Sequence, residues 1–231
     1  MNIIINGGSR GIGREVAINL SSDKDNQILV TGRDEGRLKE LQLECLNENV
    51  SYLRMDISEL DKIIETVKDE IFNRFSKVDI LINIAGRLVV RDFMTISNLE
   101  ARSMMETNFF GQATLIRLLV PLMPSGSHIV NISSMGGYQG SSKYRGLSYY
   151  SASKAALSCL TECLAVELHE AGIGINCLAL GSVQTEMFES AFPGLEAPMS
   201  PQKMAGFISY FAVNGNKYFN GKVLPVAINN P

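Results

Sequence analysis

Along this chain, short runs rich in Ile, Leu and Val alternate with longer stretches in which apolar residues return every three or four positions. The runs are Met1–Ile5, Gln27–Val30, Val50–Met55, Val78–Ile82, His128–Ile132, Gly174–Leu178 and Lys222–Leu224, and their length and composition predict strands, the first a buried one. Helical spacing holds through Val16, Ala17 and Leu20, through Leu38, Leu41 and Leu46, and through Ile63, Ile64, Val67, Ile71 and Phe75. It returns in Ala155, Ala156, Leu157, Leu160, Leu164 and Leu168, and in Met204, Phe207, Ile208 and Phe211. Ser97-Asn98-Leu99-Glu100 reads as a capping box opening another, long helix. The alternation predicts an α/β fold of the doubly wound kind, with a mostly parallel seven-stranded sheet flanked by helices and right-handed crossovers. No repeat, low-complexity tract or linker interrupts it, and 231 residues suit one domain over 1–231.

The first strand runs straight into Asn6-Gly7-Gly8-Ser9-Arg10-Gly11-Ile12-Gly13 and then into a helix. Strand, glycines and helix in that order form a dinucleotide-binding turn of the Rossmann type. Gly7 permits the sharp turn, Gly11 lets backbone approach a pyrophosphate, and Gly13 lets the helix pack closely on the strand. The helix N-terminus then offers N–H groups and a positive dipole end, with Ser9, Arg10 and Ile12 in the same turn.

A second chemical pattern is Tyr150-Ser151-Ala152-Ser153-Lys154, whose tyrosine and lysine share one helix face. A free phenol titrates near about 10 and a lysine near about 10.4; a cation close to the phenol favours the phenolate and brings it toward neutral pH. Such a pair also occurs on many solvated helices, and it gains weight here from the glycine turn in the same chain. Tyr149 lacks that partner, since Ser153 lies four residues on.

Strand two ends in Thr31-Gly32-Arg33-Asp34. In a dinucleotide fold this end faces the adenosine ribose, where a carboxylate binds a free 2′-hydroxyl and an arginine accommodates a 2′-phosphate. Arg33 stands there, Arg10 adds a second cation, and no carboxylate holds the discriminating position. This favours NADP(H), with NAD(H) as the other possibility. Asp34 comes one residue later and is placed to pair with Arg33.

Composition excludes several classes of function. A net charge of −3, with 45% hydrophobic and 19% charged residues, gives no basic footprint for nucleic acid or an anionic membrane. No apolar run approaches the roughly 20 residues that span a bilayer, and no signal peptide precedes the first strand, so the expected location is cytoplasmic. The four cysteines, Cys45, Cys159, Cys163 and Cys177, lack metal-site spacing and read as reduced, packed thiols. With His128 and His169 the only histidines, neither a metal site nor Ser-His-Asp hydrolysis is expected.

From Asn6 to about Leu224 the chain resembles the single-domain short-chain dehydrogenase/reductase family, including its 3-oxoacyl-carrier-protein reductases. Besides the glycine turn and Tyr150/Lys154, the matching landmarks are Asp56-Ile57, Asn83-Ile84-Ala85-Gly86, Asn108-Phe109-Phe110-Gly111, Ile132-Ser133-Ser134, and Gly181 with Thr185. The resemblance implies that Asp56 and Ile57 meet the adenine, that Ala85 and Gly86 leave room for the ribose, and that Asn83 braces nearby backbone. It implies that Gly181, the Val183 backbone and Thr185 hold the carboxamide. It also implies a catalytic set of Asn108, Ser134, Tyr150 and Lys154: Tyr150 as acid/base, Ser134 orienting the substrate oxygen with Ser133 as the alternate, Lys154 on the ribose hydroxyls, and Asn108 helping to hold a relay water. Ser58-Glu59-Leu60-Asp61 equally suits a helix cap, giving Asp56 a structural task.

The chain departs from the family pattern at Ile84, where a second asparagine is usual, at Leu180, where proline is usual, and in a longer loop Met135–Tyr149. Ile84 is expected to alter local packing, and Leu180 to loosen the loop facing the nicotinamide. Residues Glu186 to Ser200 read as a short lid whose Met187, Phe188 and Phe192 form an apolar wall or simply pack it down. The implied activity is hydride transfer between NADP(H) and a ketone or secondary alcohol, such as a 3-oxoacyl thioester or small carbonyl. One alternative is a sugar or polar-alcohol dehydrogenase, motivated by Arg87, Arg91 and Lys143; another is a non-catalytic dinucleotide-binding sensor or scaffold. The family also implies a homodimer or homotetramer built on the Asn108 and Tyr150 helices; the tail Pro225–Pro231 reads separately as a segment able to support a subunit contact.

Overall fold

The computed structural model describes residues 1–228. The apolar runs form seven strands: β1 (Asn2–Asn6), β2 (Gln27–Gly32), β3 (Val50–Arg54), β4 (Ile80–Asn83), β5 (His128–Ser134), β6 (Gly174–Leu180) and β7 (Val223–Val226). They make one sheet in the order β3-β2-β1-β4-β5-β6-β7, and every neighbouring pair is parallel. The order reverses between β1 and β4, so the carboxyl ends of these strands diverge into a crevice, where open α/β sheets bind ligands.

Alternating side chains divide the core between the two sheet faces. Ile3, Ile5, Ile28 and Val30 point to one face, against α1 (Gly11–Ser21), α2 (Glu35–Glu44) and α8 (Pro201–Asn214). Ile4, Leu29, Leu81 and Ile129 point to the other, against α3 (Leu60–Arg74), α5 (Gly111–Leu119) and α6 (Ser148–Glu167). The strands therefore carry unbroken apolar runs because helices cover both sides. Ile84 packs on the first of these cores, as its apolar side chain requires.

A row of polar side chains crosses this apolar sheet. Thr31 Oγ1 donates to Asn6 Oδ1 at 3.2 Å, Asn6 Nδ2 to Asn83 Oδ1 at 3.2 Å, and Asn83 Nδ2 to Asn131 Oδ1 at 2.9 Å. Asn131 Nδ2 donates in turn to Thr161 Oγ1 of α6 at 3.0 Å. The residues belong to β2, β1, β4, β5 and α6, and the four on strands stand opposite one another in register.

Several sequence expectations change. The helix opened by Ser97, which makes the full capping box with Glu100, is three segments: α4 (Asn98–Met105), a π turn (Glu106–Phe110) and α5. Leu180 lies not in the loop but within β6, paired in register with Ser134 and Val226. Cys45 and Cys177 are packed thiols, but Cys159 and Cys163 are exposed on α6, on the side turned away from the sheet. Pro225 lies inside the edge strand β7, where its missing donor is tolerated; residues 229–231 of the tail fall outside the described residues.

His128 is 1% exposed, between the sheet and α8. Its Nδ1 bonds the Ala212 carbonyl at 2.9 Å and must donate, so Nε2 is bare and accepts from Asn176 Nδ2 at 3.1 Å. A second ring proton would meet another donor in an apolar site, and burial lowers the pKa from 6.5 to about 4. Between those values the unfolded chain binds the extra proton and the folded one does not, so stability falls as pH drops through that window, by up to roughly 3 kcal/mol. Unfolding free energies of wild type and His128→Gln at pH 7 and 4.5 should show the larger acid loss in wild type. Equal losses would refute this account.

Candidate active site

The turn between β1 and α1 requires glycine at two points. Gly7 adopts φ +97°, and a Cβ at Gly13 would sit 2.1 Å from the Gly7 carbonyl oxygen. α1 has no side-chain cap and no acidic residue in its first turn, so its terminal N–H groups and dipole are free for an anion.

This turn forms part of a cleft of about 690 Å³ at the carboxyl edge of the sheet. The cavity brings together Gly7, Ser9, Arg10, Gly11, Ile12 and Gly13 with Arg33, Asp56 and Ile57. Ala85, Gly86, Ser134, Tyr150, Lys154, Gly181, Val183 and Thr185 complete the set. A glycine cradle closed to any Cβ, beside an uncapped helix end, fits the diphosphate of a dinucleotide.

Two predicted residues stay out of the cavity wall. Asn83 is fully buried in the amide row, where Asn6 and Asn131 engage its side chain. Asn108 is also fully buried: its Nδ2 donates to the Arg87 carbonyl and to Ser153 Oγ, both at 2.9 Å, and its Oδ1 accepts from the Arg87 N–H at 2.7 Å. Both amide hydrogens are committed, leaving neither to donate to a water. The π turn that carries Asn108 widens the helix at this point, with Gly111 N–H bonding the Glu106 carbonyl five residues back.

Ser153 was not foreseen. Its hydroxyl donates to the Tyr150 carbonyl at 2.7 Å while accepting from Asn108, so it ties the π turn to the tyrosine's own helix. Only a Ser at this spacing hinted at it. Ser133 donates to the Lys154 carbonyl and accepts from Ser158, which makes it a fastener of α6 to β5. Ser134 is the serine beside Tyr150, and its hydroxyl partly offsets the upward push that burial gives the phenol.

Lys154 is 3% exposed, has no acidic partner among the described residues, and donates to the Ile132 carbonyl at 2.9 Å. Burial lowers its pKa from 10.5 to about 8. Its Nζ and Asn108 Oδ1 both lie 3.6 Å from where a Gly86 Cβ would be, so glycine there keeps this corner open. Burial is the largest cause of both shifts, pushing the Tyr150 phenol up and the Lys154 ammonium down.

At the end of β2, Asp34 does not pair with Arg33. It caps α2 by accepting from the Arg37 N–H at 3.1 Å, while Arg33 lies 3.9 Å from Asp56. Asp56 also accepts from the Ser58 N–H, the structural task anticipated for it. Arg10 turns to Glu186 at 3.0 Å, and Arg37 holds the same carboxylate at 2.7 and 3.0 Å. Nothing in local sequence spacing linked Arg37 to Glu186.

The long loop 135–149 is held by its own polar groups. Lys143 donates to the Gly136 and Tyr138 carbonyls at 2.8 and 2.7 Å, Arg145 pairs with Asp92 at 2.8 Å, and Tyr149 stacks on Phe93. The lid begins with α7 (Glu186–Ala191), capped by Thr185, and Met187, Phe188, Phe192 and Leu195 face the cleft as an apolar wall.

Fold and cleft together define a dinucleotide-binding α/β protein with a tyrosine, lysine and serine at the strand ends. The sequence model of the family described as short chain dehydrogenase matches residues 1–196, and the chain belongs to that family of oxidoreductases. It is 29% identical over 208 residues to an uncharacterised oxidoreductase of Staphylococcus saprophyticus, covering 87% of this chain and 86% of that one. A solved dehydrogenase/reductase from Sinorhizobium meliloti superposes with TM-score 0.86 at 26% identity, covering 98% of this chain and 93% of that one. A solved Burkholderia cenocepacia short chain dehydrogenase in complex with NADP superposes with TM-score 0.87 at 22% identity, over 97% and 95% of the two chains. No helix among the described residues is long and apolar enough to cross a membrane.

Gly13→Ala is expected to weaken dinucleotide binding by about a hundredfold or more, since the new Cβ must displace the turn. Gly206→Ala, whose Cβ would meet nothing within 4 Å on the exposed side of α8, should bind like wild type. Equal binding by all three proteins in a nucleotide titration would refute the cradle.

Proposed function

We propose that the chain is one oxidoreductase domain over 1–231 that uses NADP(H) to interconvert a ketone and a secondary alcohol, with Tyr150 as general acid/base. The observation that carries this reading is the convergence of Tyr150, Ser134 and Lys154 in one cavity with the glycine cradle. When bound, the nicotinamide supplies or accepts a hydride at the substrate carbon. The residues of the chain then bind, orient and move the proton.

In reduction, Tyr150 gives its phenolic proton to the carbonyl oxygen while Ser134 donates a hydrogen bond to that oxygen. A phenol is protonated at neutral pH, ready for this step, and the Lys154 cation stabilises the phenolate that results. Lys154 also holds the ribose hydroxyls. Asn108 acts by fixing the Arg87 backbone and, through Ser153, the start of α6. Gly181, the Val183 backbone and Thr185 hold the carboxamide, and Asp56 with Ile57 meets the adenine.

The NADP(H) preference rests on Arg33 and Arg10 at the β2 end, and the Burkholderia relative in complex with NADP agrees with it. The apolar lid supports a carbonyl substrate with an apolar substituent, such as a 3-oxoacyl thioester or small ketone. Of the cations that would favour a sugar or polar alcohol, Arg91 pairs with Glu100 and Lys143 is bonded within its loop, whereas the Arg87 Nε is buried without a partner among the described residues. Exposed Phe110 and Val166, on the neighbouring Asn108 and Tyr150 helices, support a homodimer or homotetramer.

Tyr150→Phe should reduce ketone turnover by about 10²–10⁴-fold while NADPH still binds. Arg33→Ala should weaken NADPH by about tenfold and spare NADH. Nicotinamide absorbance and fluorescence titration measure both; unchanged turnover in the tyrosine variant would sink the mechanism.

A further inference from the structure

Glu186 is the first residue of the lid helix, and its carboxylate bridges Arg10 of the glycine turn and Arg37 of α2. The bridge spans 176 residues on one side and 149 on the other, so it joins three separate segments around the adenosine end of the cleft. Two guanidinium groups converge on one small planar anion at 2.7–3.0 Å. A phosphate offers the same oxygen geometry with a further oxygen and more negative charge.

We propose that Glu186 occupies the place of the cofactor's 2′-phosphate and is exchanged for it, so that Arg37 joins Arg10 in selecting NADP(H) and phosphate binding frees the lid helix from α1 and α2. The inference rests on the NADP(H) reading above and extends it to two residues and a motion. All three side chains are close to half-exposed. An exposed ion pair is weak, so a dianion arriving at the same arginines displaces it. Glu186 is ionised in this pair, with Arg37 holding its carboxyl below the ordinary range. Release matters because Thr185, the cap of the lid helix, lies 3.5–3.7 Å from where a Gly11 Cβ would be, over the turn that the diphosphate must reach.

The test compares dissociation constants for NADPH and NADH in wild type, Glu186→Gln, Glu186→Asp and Arg37→Gln. Glu186→Gln should raise the NADPH-to-NADH affinity ratio about fivefold by removing the competing anion, and Arg37→Gln should lower it about tenfold. Glu186→Asp, which retracts the carboxylate, should move the ratio the same way as Gln and by less. Hydrogen exchange in residues 186–191 should rise when 2′,5′-ADP binds and stay unchanged with 5′-AMP. A ratio unmoved by Glu186→Gln in a protein that prefers NADPH overturns the exchange and leaves the cofactor reading intact. A wild type that prefers NADH, with the ratio still raised by Glu186→Gln, overturns the cofactor reading and upholds the exchange. Equal shifts for both cofactors, or no difference between the two nucleotides in hydrogen exchange, overturn the exchange.

Discussion

The arrangement of the cleft depends on the hydrogen-bonded row from Thr31 through Asn6, Asn83 and Asn131 to Thr161. Each of these side chains is at most 2% exposed, and an unpaired polar group at that depth costs about 1–3 kcal/mol. The cost is avoided only if all four strands keep their register and α6 keeps its rotation, because every amide takes its acceptor from one neighbour and offers its own oxygen to the other. Apolar packing alone would tolerate small slips of one strand on the next. The amide row makes them expensive at the strand ends, where the ligand cleft opens.

From that row the geometry passes to α6 by short polar links. Thr161 anchors the helix to β5, Ser133 and Ser158 hold it at the Lys154 carbonyl, and the Lys154 ammonium reaches back to the Ile132 carbonyl. Ser153 fastens the same helix to Asn108 on the π turn. Tyr150 and Ser134 therefore meet because the helix and the strand are joined by several independent bonds around them. The long loop that follows Ser134 does not disturb this geometry, since Lys143 and Arg145 fold it onto itself and onto Asp92.

Much of this was legible from local sequence. The succession of strands and helices, the glycine turn, the capping box at Ser97 and the shared helix face of Tyr150 and Lys154 follow from period, steric limits and helix geometry, all of which act over a few residues. What escaped were interactions between distant segments. Asn83 could not be recognised as part of an amide row without knowing that β4 lies between β1 and β5. The π turn leaves no mark in the period of Asn108 and its neighbours. Arg37 and Glu186 meet only because the lid helix returns across α1. Cys159 and Cys163 sit in an apolar-looking stretch, yet their side of α6 faces away from the sheet.

Lys154 shows where the fold spends stability on the site. A buried ammonium with only a carbonyl for a partner is unfavourable, and its lowered pKa near 8 expresses that cost. A methionine of similar length would pack into the same space with no such penalty, so folding alone does not explain the residue. In the function proposed above, ribose hydroxyls in the corner beside Gly86 would complete the ammonium's hydrogen bonds and offset that cost. The Arg10 and Arg37 pair with Glu186 follows the opposite strategy: its charges are exposed and already satisfied, so it costs little to keep and little to exchange. The two ends of the cleft thus differ in kind, one holding a buried cation with a single carbonyl partner and the other an exposed pair whose charges are already matched.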